Sequence, residues 1–81
     1  MGDILYAEKN YHGARAEFQS VLAAVPYGSR TPEALLKIGL CERGLRNEAA
    51  ARGVWQRLVK EYARSAAADT ARALLRDART R

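Results

Sequence analysis

Apolar positions along this chain recur at helical spacing almost from the first residue. Ala14, Phe18, Val21, Leu22 and Val25 follow one another at intervals of three and four, which predicts a helix over about 11–25 with one apolar face. Pro26, Gly28 and Ser29 form a breaker cluster that ends it. Ser29 or Thr31 is expected to cap the next helix. Pro32 suits its first turn, and Glu33 sits where the positive end of a helix dipole favours an acid. In that helix Leu35, Ile38, Gly39 and Glu42 share one face, and Leu36 and Leu40 a neighbouring one. Gly44 and Asn47 are expected to end it. A fourth stripe, Ala51, Trp55, Leu58, Val59 and Tyr62, is followed by Ser65 as the cap of a fifth helix. There Ala67, Ala71, Leu74, Leu75 and Ala78 lie on one side. The short links suit antiparallel neighbours, so the pattern predicts a single all-α unit.

The helices repeat. Displaced by 37 positions, the chain matches itself: Gly2 meets Gly39, Asn10 meets Asn47, Ala14 meets Ala51, Arg15 meets Arg52 and Phe18 meets Trp55. Gln19 falls on Gln56, Val21 on Leu58, Leu22 on Val59 and Val25 on Tyr62. Such a period marks a solenoid of helix pairs, each leaving an apolar side that the next must cover. Gly39 and Ala51 let the two helices of a pair approach, and Phe18 or Trp55 is expected to fill the gap to the next pair.

With Pro32 as the first position, Leu35, Ile38 and Gly39 and then Ala51, Trp55 and Leu58 resemble the tetratricopeptide repeat family, as do Ala14, Phe18, Val21 and Pro26 one unit earlier. The resemblance implies a right-handed superhelical stack of antiparallel helix pairs, about two repeats long, closed by a C-terminal capping helix. A truncated first repeat would occupy 1–28, a second 29–65 and the cap 66–79, all in one domain. Departures are Leu5 and Glu42 at the family's tyrosine position and Ala63 at its closing proline. The period also exceeds the family's roughly 34 residues, implying an extra turn before each first helix.

The stretch from Pro26 to Cys41, with its Pro-x-Ala-Leu-Leu-Lys-Ile-Gly-x-Cys core, looks like the repeat region of the Tol-Pal accessory family, the YbgF/CpoB type. Gly2 to Ala7 and Tyr62 to Ala67 are similar to it as well. That resemblance implies a periplasmic, non-catalytic scaffold that binds TolA and works with the peptidoglycan-synthesis machinery in cell division. The elongated repeats of an outer-membrane assembly lipoprotein of BamD type are a second match in kind, and a plain structural spacer a third. No signal peptide opens the chain, whose register begins partway through a helix. Leu5, Phe18 and their neighbours are therefore expected to expose an apolar edge that a second copy could cover.

By the same resemblance Asp3, Tyr6, Leu36, Leu40 and Arg43 line a concave face, with Ala73, Asp77 and Arg81 continuing it on the last helix. Leu36 and Leu40 would floor a protein-binding groove flanked by Tyr6 and Arg43. A clamp for a terminal carboxylate is not visible, since Leu40 stands where an asparagine is wanted.

Charge and composition narrow the alternatives. The net charge is +5, but Arg15, Arg30, Arg43, Arg52, Arg57, Arg64 and Arg72 are spread over every segment, and only 76–81 is locally dense. That distribution describes a solvated surface better than a nucleic-acid stripe. No run approaches the roughly 20 apolar residues of a membrane span. The single cysteine, Cys41, reads as a buried small hydrophobe and excludes an internal disulfide. His12, the one histidine, reads as an exposed turn residue without metal-ligand company. Asp69, Arg72, Arg76 and Arg79 give the last helix a charged outer face. Phosphate loops, paired carboxylates and nucleophile–histidine constellations are missing, so neither an enzyme nor a cofactor is expected.

Overall fold

The computed structural model describes residues 2–24, 28 and 30–79, the side chains of Asp3, Ala78 and Arg79 excepted. Five helices follow one another: α1 (Gly2–Ala7), α2 (Tyr11–Ala24), α3 (Thr31–Gly44), α4 (Glu48–Glu61) and α5 (Ala66–Arg79). The bounds of α4 fall 37 residues after those of α2, and the end of α3 falls 37 after the end of α1. The internal period is thus a structural one. Each helix packs on its neighbour in sequence, and α3 also lies against α5. The result is a stack of helix pairs, α1–α2 and α3–α4, followed by α5. Val25, Pro26 and Ser29, which carry the expected helix end, breaker and cap, lie outside the described residues, as does Arg81.

Two apolar clusters hold the layers together. Ala14, Phe18, Ile38 and Cys41 join the first pair to α3, with Leu5, Tyr6 and Tyr11 against them. Leu35, Ala51, Trp55, Leu58, Ala68 and Ala71 join the second pair to α5. Trp55, 1% exposed, lies against Gly39 of its own pair, where any Cβ would collide with the indole. Its Nε1–H donates to the Leu36 carbonyl at 3.2 Å. Phe18 meets Gly2 in the same way, 37 residues earlier. The large residues were expected to bridge to the next pair; in fact each first fills the crease of its own pair, and its far side then meets the next helix.

Several local expectations are corrected. The cap position of α3 is held by Arg30 without a side-chain hydrogen bond, and Thr31 is a buried residue of the first turn. Helix α3 ends at Gly44 as expected, but neither Gly44 nor Asn47 supplies the reversal after it. Arg46 does, in the left-handed region at φ 63°. Its N–H donates to the Arg43 carbonyl at 2.9 Å and that of Asn47 to Glu42 at 2.8 Å, a Schellman-type closure. Lys9, also at φ 63°, closes α1 through the same pair of bonds, to Tyr6 at 2.9 Å and, from Asn10, to Leu5 at 2.8 Å. Gly44 instead leaves room for Tyr11, whose ring would lie 2.7 Å from an added Cβ. Ser65 does cap α5: its Oγ accepts from the Ala68 N–H at 3.1 Å.

Val21 was expected in the core but is 40% exposed, while its counterpart Leu58 is fully buried. The helix facing Leu58 presents Leu74, and the helix facing Val21 presents Lys37 at the equivalent place. The expected apolar edge also moves. Phe18 is 8% exposed and Leu5 half-buried, and it is Ile4, 61% exposed, that faces outward.

Candidate functional site

The residues singled out from the sequence lie on α1, α3 and α5, and the structure divides the described ones into three groups. Tyr6 sits on the first cluster, its ring 5.5 Å from that of Tyr11 in an edge-on arrangement. Leu36 and Leu40 are half-buried and pack against the second cluster, so part of the supposed groove floor is already used by the core. Arg43 and Asp77 come together near the C-terminal ends of α3 and α5, where they line one cleft. Ala73 is half-buried on α5, and the side chain of Asp3 lies outside the described residues.

That cleft, about 150 Å³, lies between the end of α3, the first turns of α4 and the middle of α5. Its base is Ala51 and Trp55, its far wall Leu74, and its rim carries Arg43, Glu48, Arg52 and Asp77. The Arg43 guanidinium lies 5.8 Å from the Trp55 ring centroid, a cation–π distance. Glu48, Arg52 and Leu74 were not singled out from the sequence. A signal for Glu48 exists in the mismatches of the internal repeat: Tyr6 and Tyr11 become Arg43 and Glu48, so a ring-filled place becomes a charged one.

A second polar group lies inside the stack. Glu42, 7% exposed, accepts from Arg15 Nη1 and from Asn47 Nδ2, the latter at 3.3 Å. An acid this buried needs a cation, and Arg15 on α2 supplies it across the junction between the pairs. Cys41 beside it is fully buried. Its thiol pKa is raised, mainly by desolvation and further by the Glu42 charge, with Arg15 pulling the other way. This is the inert thiol expected from the sequence, since burial disfavours the reactive thiolate. His12 is exposed on α2. Among the described residues, no group of three or more His, Cys, Asp or Glu side chains is arranged for a metal, and no helix is long and apolar enough to cross a membrane.

Stacked helix pairs closed on themselves by a glycine–indole crease define a helical-repeat protein. Residues 33–65, the second pair with its flanking turn, match the tetratricopeptide repeat family. Comparison with curated proteins finds no match. Tetratricopeptide repeats generally mediate protein–protein interaction, typically as non-catalytic scaffolds.

Proposed function

We propose that this chain is a non-catalytic scaffold that holds a segment of another protein along the face of α1, α3 and α5. The observation that carries this reading is the tetratricopeptide match over 33–65, which covers α4 and α3 from its third residue onward. The chemistry of the face supports it. Half-buried Tyr6, Leu36 and Leu40 are accompanied by exposed Arg43 and Asp77, so apolar contact and charge-directed hydrogen bonding are both on offer to an extended or helical segment.

The partner proposed is TolA, in the periplasm, with the scaffold linking it to peptidoglycan synthesis during cell division. The support is the likeness of residues 26–41 to the Tol-Pal accessory repeat region. The test is a titration of the isotope-labelled chain with a soluble TolA fragment. Shifts at Tyr6, Leu36, Leu40 and Arg43, lost in Arg43→Glu while helicity is kept, are expected. Arg43→Glu is the cleaner probe, because Leu36→Asp would also disturb the core beneath Leu36. A labelled spectrum unmoved by TolA would overturn the Tol-Pal assignment and favour a repeat module of BamD type or a spacer.

A further inference from the structure

The two junctions of the stack are built from equivalent positions with different contents. In the first, Tyr6 and Tyr11 meet edge to face beside Ala14 and Phe18, and Tyr11 runs up against the backbone of Gly44. In the second, the same base recurs as Ala51 and Trp55, but Arg43 and Glu48 stand at the tyrosine positions. The cleft of about 150 Å³ lies at that place. The geometry points to this cleft as a docking site for a tyrosine side chain from the bound protein segment, seated where Tyr11 sits in the first junction. This rests on the scaffold reading above and deepens it by naming the residue that the scaffold reads.

Three features fix the occupant. Size is the first: a cavity of about 150 Å³ suffices for one benzene-sized ring. Shape and chemistry of the base are the second, since Ala51 and Trp55 stand at the positions of Ala14 and Phe18, members of the cluster against which Tyr11 packs. Charge is the third. Arg43 lies beside the opening, where a cation favours an aromatic face over a saturated one, and Glu48 and Asp77 on the rim can accept from a phenol hydroxyl. Leucine fits the volume but meets neither the cation nor the carboxylates.

The test uses the whole labelled chain and p-cresol, the tyrosine side chain itself, with cyclohexanol as a saturated probe of similar size. Trp55 is the only tryptophan, so its indole N–H resonance reports on the cleft without ambiguity. Millimolar p-cresol, in the affinity range of a single-ring probe, is expected to shift that resonance together with Arg43, Glu48 and Leu74. Cyclohexanol should act at least tenfold more weakly. R43Y/E48Y, which rebuilds the tyrosine pair within the chain, should melt at a higher temperature and bind p-cresol at least tenfold more weakly. Should the double variant fail to fold, E48Y alone, at an exposed site, is expected to show the same loss. Equal response to the two probes, absence of cleft shifts at saturating p-cresol, or full p-cresol binding by a folded E48Y would each overturn the inference. The TolA titration separates this from the reading beneath it. TolA shifts on the α1–α3–α5 face without p-cresol binding would remove the tyrosine site and keep the scaffold.

Discussion

Glu42 and Leu5 occupy equivalent positions 37 residues apart, yet one is a buried acid and the other a half-buried hydrocarbon. The Arg15–Glu42 pair ties α2 to α3, whereas the equivalent positions at the next junction, Arg52 and Arg79, carry no acid, and single substitutions should show what the pair contributes. Arg15→Ala leaves the Glu42 carboxylate in the interior with only Asn47 to answer it. Because Arg15 is partly exposed, the loss should be smaller than for a fully buried pair, about 2 kcal/mol. Glu42→Leu removes the charge and puts there the residue type of the equivalent repeat position, Leu5, so it should stay within about 1 kcal/mol of the parent. Urea denaturation of the two variants checks the asymmetry, and equal losses would contradict it. Cys41 gives a pH counterpart. Its folded pKa is raised, so the folded state holds the proton longer than the unfolded one. The associated stability is present below the ordinary thiol value of 9.0 and drains as pH rises through the folded value. Urea midpoints measured from neutral pH upward should fall more steeply above 9.0 in the parent than in Cys41→Ala. The burial of Cys41 and Trp55 was legible from helical spacing and the repeat. The Arg15–Glu42 pair was not, because spacing within one helix does not say which side chain on another helix will reach it.

At the level of the element, the turns after α1 and α3 carry a cost that the sequence conceals. Each closes through a non-glycine residue at φ 63°, Lys9 or Arg46, where helices commonly use glycine. A Cβ in the left-handed region costs roughly 1–2 kcal/mol, and the greater freedom of glycine when unfolded returns part of that. Arg46→Gly is therefore expected to raise stability by up to about 1 kcal/mol, with Lys9→Gly acting in the same direction. Thermal melts of the two variants and of their combination would read this, and a fall in melting temperature would refute it. Helix α3 does end at Gly44, as composition suggested, yet the glycine serves the approach of Tyr11 and leaves the reversal to Arg46. The aligned asparagines show the same limit. Asn10 Oδ1 caps α2 by accepting from Gly13 at 3.2 Å, whereas Asn47 begins α4 without a side-chain cap bond and turns its amide to Glu42. Identical residues in register do different work once their neighbours differ. Helix extents, by contrast, followed the hydrophobic period closely, because burial of one face fixes where a helix must run.

Over the whole molecule, 31 × 26 × 17 Å in extent, no layer buries its apolar face alone. The second cluster depends on α5, which contributes Ala68 and Ala71, both fully buried, beside Trp55 and Leu58. The outward side of α5 is of another kind. Arg72 and Arg76 stand where α3 has Leu35 and Gly39, so α5 lacks the apolar strip and the gap on which α4 docks. Arg72 is held there by Asp69 at 2.7 Å and by the Ala63 carbonyl at 2.7 Å. Helix α5 thus gives its alanine face to the stack and its charge to solvent, and its removal should be felt mainly in the second cluster. Uncovering side chains such as Leu58 and Trp55 forfeits about 1.5–3 kcal/mol apiece. A domain of this size has a total stability of only about 4–12 kcal/mol. A chain ending after residue 65 is accordingly expected to lose its cooperative thermal transition and the near-ultraviolet signal of Trp55, while keeping some far-ultraviolet helicity. Exchanging Arg72 and Arg76 for lysine should leave the transition almost in place. A truncated chain that still melts cooperatively, with Trp55 in an asymmetric environment, would show that the two helix pairs close their core between themselves and that α5 is dispensable to it.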